Sequence, residues 1–203
     1  MRVNIFKNVV AAMPQETELD KIVYMMEFSQ ELCTRTQVYR QNLAWGHKKK
    51  VKNMKITRFP AFTPCAIMFE GKTRQDVVGL TDLCYLDIDR IKDDRKVNEA
   101  LEILRGDSHV VIASKSVSEK GIHILIRYQL AGMETPPQRV TMGTGKMQEL
   151  YEIVFDYLAG EYKQKLGLEI DSGARHMEHL FIVSYDPDIY YNANAEPIVI
   201  QTK

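Results

Sequence analysis

Leu83-Cys84-Tyr85-Leu86-Asp87-Ile88-Asp89 is a short apolar run that closes on two aspartates with one isoleucine between them. As a strand it sends Cys84, Leu86 and Ile88 to one face and Leu83, Tyr85, Asp87 and Asp89 to the other. The two carboxylates then lie roughly 7 Å apart along one face. Like charges on a half-buried surface repel and resist desolvation unless a cation sits between them. A divalent metal is the usual partner. The same residues also read as a strand running into an acidic turn, Asp89-Arg90-Ile91-Lys92-Asp93-Asp94. The surrounding chain decides between the two.

Of the 203 residues, 45% are hydrophobic and 27% charged, which is the make-up of a globular chain with room for a real core. No apolar run reaches the ~18 residues of a membrane span, and residues 1–7 lack the apolar stretch of a secretion signal. Cys33, Cys65 and Cys84 form no C-x-x-C pair. That argues against a disulfide framework and a cysteine zinc site, and it fits a reducing cytoplasm. The net charge of zero hides an asymmetry. Residues 1–60 hold 11 Lys/Arg against 5 Asp/Glu, and the remaining 143 hold 16 against 22. Most of the excess is Arg35, Arg40, Lys48, Lys49, Lys50, Lys52, Lys55 and Arg58, a patch able to hold a phosphate backbone or to form a solvated basic loop.

Along the chain, residues 3–10 read as a first strand. Leu19, Ile22, Val23 and Met26 have the spacing of an amphipathic helix. Val38, Tyr39 and Leu43 suggest a second helix, the basic loop follows, residues 56–64 read as extended chain broken by prolines, and residues 66–70 as a short strand. Residues 1–75 are therefore expected to form an N-terminal α/β unit packed on residues 76–203. In that second part, residues 83–89 form a strand. Asp93 caps a helix with Val97, Ala100, Leu101 and Leu104 on its apolar face, ended by Gly106. Strands follow at 109–114 and 121–128, then a helix carrying Met147, Leu150, Tyr151, Val154 and Leu158, and a last core strand at 179–184. The order β-α-β-β-α-β predicts an α+β, ferredoxin-like (RRM-like) palm.

In that topology the first and third strands are antiparallel neighbours. The end of the first, with Asp87 and Asp89, lies beside the start of the third, with His123. Asp171 comes after the second helix and is expected to reach the same face from the fourth strand. Three converging carboxylates suit two Mg²⁺ or Mn²⁺ ions about 3.5–4 Å apart, the arrangement that serves phosphoryl transfer. The loop before His123, Ser114-Lys115-Ser116-Val117-Ser118-Glu119-Lys120-Gly121, carries hydroxyls and lysines that can line a phosphate site or form a plain polar hairpin.

These residues resemble the motifs of the archaeo-eukaryotic primase superfamily. Leu86-Asp87-Ile88-Asp89 resembles its first catalytic motif. Ser116-x-Ser118-x-Lys120-Gly121-x-His123 resembles its second, nucleotide-binding motif, and Ile170-Asp171 its third. Phe59-Pro60-Ala61-Phe62-Thr63-Pro64 and Ser184-Tyr185-Asp186-Pro187 are similar to segments of the VirE N-terminal-like, primase-related domains of bacterial mobile-element proteins. The resemblance implies a nucleotidyltransferase that joins a nucleoside triphosphate to a 3′-hydroxyl on a DNA template, alone or with a helicase domain or partner. Asp87, Asp89 and Asp171 would be catalytic metal ligands, and Ser116, Ser118, Lys120 and His123 would bind nucleotide. Arg40, Lys48, Lys49, Lys50, Lys52 and Lys55 would bind nucleic acid. Two departures stand out. Glu119 occupies a position where the second motif usually has glycine, and the arginine usual shortly before S-Y-D-P is missing, with Arg175 or His179 as substitutes. A catalytically degenerate nucleic-acid-binding module and a metal-dependent nuclease are the alternatives.

Other signals carry less. Gly143-Thr144-Gly145-Lys146 has Val140 and Met147 where a Walker A loop needs glycine and Ser/Thr. His176 and His179 lack H-E-x-x-H spacing. Trp45 beside the lysine run either stacks a base or anchors the loop, and Asp186-Pro187-Asp188 reads as a capped turn.

Overall fold

The computed structural model describes residues 1–133 and 135–201. Its first part contains strands β1 (Arg2–Phe6) and β2 (Gln15–Glu18), helices α1 (Leu19–Phe28), α2 (Gln30–Ala44) and α3 (Lys48–Thr57), and strands β3 (Ala61–Thr63), β4 (Ala66–Met68) and β5 (Val77–Leu80). Next come β6 (Leu83–Ile88), α4 (Asp94–Arg105), β7 (Val110–Lys115) and β8 (Ile122–Leu130). The chain continues through α5 (Arg139–Met142), α6 (Thr144–Leu166), a 3-10 turn (Ser172–Arg175), β9 (Phe181–Ile182), β10 (Tyr190–Tyr191) and β11 (Ile198–Ile200). This is the mixed α+β architecture expected from the order of elements. Among the described residues no helix is long and apolar enough to cross a membrane.

The central sheet is built on β8. Strand β6 pairs with it antiparallel on one side and β7 antiparallel on the other; β10 extends the sheet beyond β7, and β11 runs parallel to the end of β8. One face of this sheet rests on α4 and α6. Helix α4 starts where Asp93 accepts a hydrogen bond from the Arg95 N–H (3.0 Å), and it buries Val97, Ala100, Leu101 and Leu104. Cys84 on β6 approaches the Tyr151 hydroxyl of α6. The opposite face meets a second sheet, ordered β2-β1-β3-β9.

Three local readings change. The basic run at 48–57 is the helix α3, not a loop. Lysine is a good helix former, no glycine or proline falls between Lys48 and Thr57, and Val51 with Met54 gives the helix an inner edge. The first strand stops at Phe6 because the Asn8 side chain accepts hydrogen bonds from the Val10 and Ala11 N–H groups and turns the chain. In α2, Tyr39 is buried while Val38 and Leu43 face outward.

The expected last strand at 179–184 shortens to β9 and joins the other sheet. Its partner is β3, with Phe62 opposite Phe181, and their rings lie 4.8 Å apart. The place beside β6 is taken instead by the chain at Asp171, whose N–H donates to the Asp87 carbonyl at 2.7 Å. The reason is aromatic packing. Phe181 also lies 4.6 Å from the His123 ring and 5.4 Å from Tyr85, so it belongs between the sheets rather than at an edge. After β9 the Ser184-Tyr185-Asp186 segment ties the layers together. The Tyr185 N–H donates to Thr36 Oγ1 (3.0 Å), the Asp186 N–H to the Met26 carbonyl (3.0 Å), and Asp186 Oδ2 accepts from the Lys115 N–H (2.7 Å). Asp186 also accepts from the Asp188 N–H, the turn expected from the sequence.

Phe181 therefore holds two sheets and the polar face together. Truncating it leaves a cavity at that junction. Phe181→Ala is expected to lower the urea-unfolding free energy by about 3–5 kcal/mol, with Phe181→Leu losing clearly less. Equal, small losses for both would contradict this packing.

Candidate metal and nucleotide site

The register of the central sheet aligns Asp87 with His123 and His123 with Ser114 across three strands. Cross-strand partners share a face. Alternation along β6 adds Tyr85 to that face and leaves Leu86 and Ile88 on the helix side. Asp89 lies just past the end of β6 and is exposed. Asp171 comes to it as the residue that caps the 3-10 turn, accepting from the Gly173 N–H at 3.0 Å. One carboxylate oxygen from each of Asp87, Asp89 and Asp171 lies within 4.8 Å of the others. This is the one such group of three or more candidate ligands among the described residues, and neither His176 nor His179 belongs to it.

Asp87 is the deep member of the set, 9% exposed. Burial first, and then the charges of Asp89 and Asp171, push its carboxyl up to about 7. Lys55 works in the other direction. Asp87 Oδ1 is buried and has no hydrogen-bond partner, and neither has Nδ1 of His123. The His123 Nε2 stands 3.6 Å from Asp87 Oδ1. Burial, helped by the positive charges of Lys55 and His179, pulls the imidazole down to about 3, so it is neutral at physiological pH. The contact is therefore not an ion pair. Tyr85 and Phe181 hold the ring edge-on.

Three convergent carboxylates, one with an unsatisfied buried oxygen, fit a hard divalent cation of the Mg²⁺ or Mn²⁺ type. An oxygen-only donor set does not suit a soft metal.

The serine loop closes against this group. The Ser116 N–H donates to the Gly121 carbonyl (2.9 Å), and the Ile91 N–H donates to the Lys120 carbonyl (2.8 Å). A side chain at Gly121 would collide with the Ile88 carbonyl oxygen. It would also stand 3.1 Å from Ser116 Oγ and 3.2 Å from Asp89 Oδ1. Only glycine lets the loop lie this close to the carboxylates. Ser116 and Ser118 share a hydroxyl hydrogen bond of 3.1 Å, and the Lys120 ammonium is bonded to Asp94.

Other expected site residues fall elsewhere. Arg175 does not face the carboxylates as a free cation. Asp156 takes its Nε and Nη2 (2.8 and 2.7 Å), and Glu152 lies 3.0 Å from Nη1. His179 remains at the site, its ring 5.7 Å from Tyr85 and its imidazole held down by burial against the opposing charge of Asp171. Lys48, Lys49, Lys50 and Lys52 are exposed on α3, and Trp45 stands out at 66% exposure beside His47. Trp45 is thus no anchor to the core. Lys55 differs from its neighbours on α3. It is half-buried, and its charge is felt by Asp87, His123 and His179. Its charge therefore acts on the carboxylate site as well as on the outer basic surface. The sequence signal was only its position, seven residues after Lys48 on a helix that read as a loop.

A family model described as BT4734-like, N-terminal domain, matches residues 54–191, a stretch that holds the three aspartates, the serine loop, His123 and Lys55. No curated protein and no solved structure matches the chain.

A carboxyl whose pKa is higher folded than unfolded binds its proton more tightly in the folded state, so it costs stability as pH rises from about 4 to about 7. Asp87→Asn removes that loss. In metal-free buffer the variant should melt above the wild type at pH 8, with the gap closing near pH 4. A gap independent of pH would contradict the burial of an ionised Asp87.

Proposed function

The chain belongs to the BT4734-like N-terminal domain family, and for it we propose template-directed nucleotidyl transfer of the primase type, within the archaeo-eukaryotic primase superfamily and near its VirE N-terminal-like members. The observation that carries this reading is the convergence of Asp87, Asp89 and Asp171 at the mouth of the serine loop.

Asp87, Asp89 and Asp171 would hold Mg²⁺ or Mn²⁺. Such ions neutralise phosphate charge and favour an ionised 3′-hydroxyl. The 3′-hydroxyl oxygen forms a bond to the α-phosphorus of the nucleoside triphosphate as its proton passes to solvent, the bond to the oxygen bridging to the β-phosphate breaks, and pyrophosphate leaves. The chain's side chains position these groups. Burial pushes the Asp87 carboxyl up to about 7, so cation binding there would compete with a proton. Ser116 and Ser118 offer their hydroxyls to the phosphates. Neutral His123 donates or accepts a hydrogen bond without adding charge beside Asp87. Lys55 adds a positive charge to the same space. Phe181 and Tyr85 line the deep side and keep water from it. Outside, Lys48, Lys49, Lys50 and Lys52 with exposed Trp45 suit a DNA template, through phosphate contacts and base stacking. Replication of a mobile element or plasmid in the cytoplasm, with a helicase domain or partner, is the setting this chemistry serves.

One observation favours a second reading. With Arg175 bound to Asp156 and Glu152, only His179 is left as a substitute for the arginine usual near S-Y-D-P, and a neutral imidazole supplies no fixed charge there, as a degenerate nucleic-acid-binding module would show.

The discriminating assay is Mn²⁺-dependent primer synthesis on single-stranded DNA. Asp87→Asn combined with Asp89→Asn should reduce it by ~10³-fold or more with an unchanged circular-dichroism spectrum. Synthesis at wild-type rates in that variant would rule out the proposal. DNA degradation in Mg²⁺ without nucleotide would point to a nuclease. Salt-sensitive DNA binding with no nucleotide effect would point to the module.

A further inference from the structure

The loop at 116–121 is the part of the site whose polar groups are bonded to one another at rest. Ser116 and Ser118 pair through their hydroxyls (3.1 Å), the Lys120 N–H donates to Ser118 Oγ (3.3 Å), and the Lys120 ammonium is held by Asp94. The remaining cation at this loop is Arg40, reaching across from α2. Its Nε donates to the Val117 carbonyl at 3.2 Å, and its Nη2 to the Tyr185 carbonyl at 3.4 Å. Its Nη1 meets Glu119 Oε1 at 3.1 Å. Two nitrogens of the guanidinium are thus fixed to backbone carbonyls, and the third meets Glu119 at the loop tip. Planar, multi-donor and permanently charged, such a group is suited to a phosphate.

Glu119 is oddly placed for a residue with only a structural task. Its φ is +60°, a left-handed conformation that disfavours a side chain. The side chain is half exposed and reaches back to Arg40. A polar row leads from Asp89 past Gly121 to Ser116 and Ser118, and Arg40 holds the loop at the residues on either side of Ser118, Val117 and Glu119. Successive phosphates of a metal-bound triphosphate could follow that row, and the carboxylate of Glu119 sits where it would end.

We propose that Arg40 is the guanidinium that binds the substrate polyphosphate, and that Glu119 occupies its phosphate-facing edge until the polyphosphate displaces it. This rests on the nucleotidyltransferase reading of the same site and supplies the arginine which that reading otherwise lacks. It also reassigns Arg40 from the nucleic-acid surface to the nucleotide loop. A polyphosphate carries more charge than one carboxylate and competes for Arg40, while Glu119 swings into solvent without unfolding the hairpin.

The test uses binding rather than transfer. Sodium tripolyphosphate with Mg²⁺ is titrated calorimetrically into the full chain, into Glu119→Gln, and into the double variant Arg40→Gln/Glu119→Gln. Glu119→Gln keeps the size of the side chain and removes the competitor. It should bind tripolyphosphate about fivefold more tightly, the scale of a partly exposed ion pair. The gain should vanish in the double variant, which should bind more weakly than wild type. A purely structural pair would lower the melting temperature of Glu119→Gln and leave its affinity unchanged or reduced. Affinity no tighter than wild type, or a gain that survives loss of Arg40, overturns the proposal. Tighter binding by Glu119→Gln with no transfer by any variant leaves Arg40 and Glu119 in these roles and removes the transferase reading. Transfer by wild type with no effect of Glu119→Gln on binding does the reverse.

Discussion

The pairing of β6 with β8 in a register that sets Asp87 opposite His123 is the constraint from which the site follows. Side chains alternate with a period of two, so a slip by one residue would turn Asp87 into the helix-packed layer and put Leu86 and Ile88 on the polar face. The slip is blocked from both sides. The buried apolar rows of β6 and β8 fit against α4 and α6, and Phe181 fills the space over Tyr85 and His123 on the other face. A packing decision in the core thereby fixes the position of three carboxylates at its rim.

That placement is electrostatically unfavourable without a ligand. Asp87 is desolvated beside two further aspartates, and the nearest imidazole is neutral. A neutral histidine relieves none of the repulsion, whereas a divalent cation would offset it and could satisfy the orphaned oxygen of Asp87. Gly121 belongs to the same design, because any larger residue would push the serine loop away from Asp89. The surrounding cations divide into two kinds. The charge of Lys55 acts on Asp87 and His123, while Arg40 and Lys120 are engaged by Glu119 and Asp94.

Where a pattern was local and periodic, the sequence carried it to the structure. Helix α4 is legible from the Asp93 cap and the spacing of Val97, Ala100, Leu101 and Leu104, and α1 from Leu19, Ile22, Val23 and Met26, all buried. The shared face of Asp87, Asp89 and His123 follows from strand alternation and strand order alone. Other features depend on distant partners. An apolar run at 179–184 announces a strand but not its neighbour; the choice of β3 over β6 rests on Phe62 meeting Phe181, which no local window contains. Helix α3 was hidden because its lysines read as a solvated run and only Val51 and Met54 mark an inner edge. Nor could the residues around Arg40 reveal its ties to Val117, Glu119 and Tyr185, the last of them 145 positions away.

The most direct measurement is the anomalous scattering of manganese in a crystal grown with Mn²⁺ and a non-hydrolysable nucleoside triphosphate. The account predicts manganese peaks bridged by Asp87, Asp89 and Asp171, with the phosphates lying along Ser116 and Ser118. Bound nucleotide with no manganese at these carboxylates, or manganese held only by other residues, would contradict it.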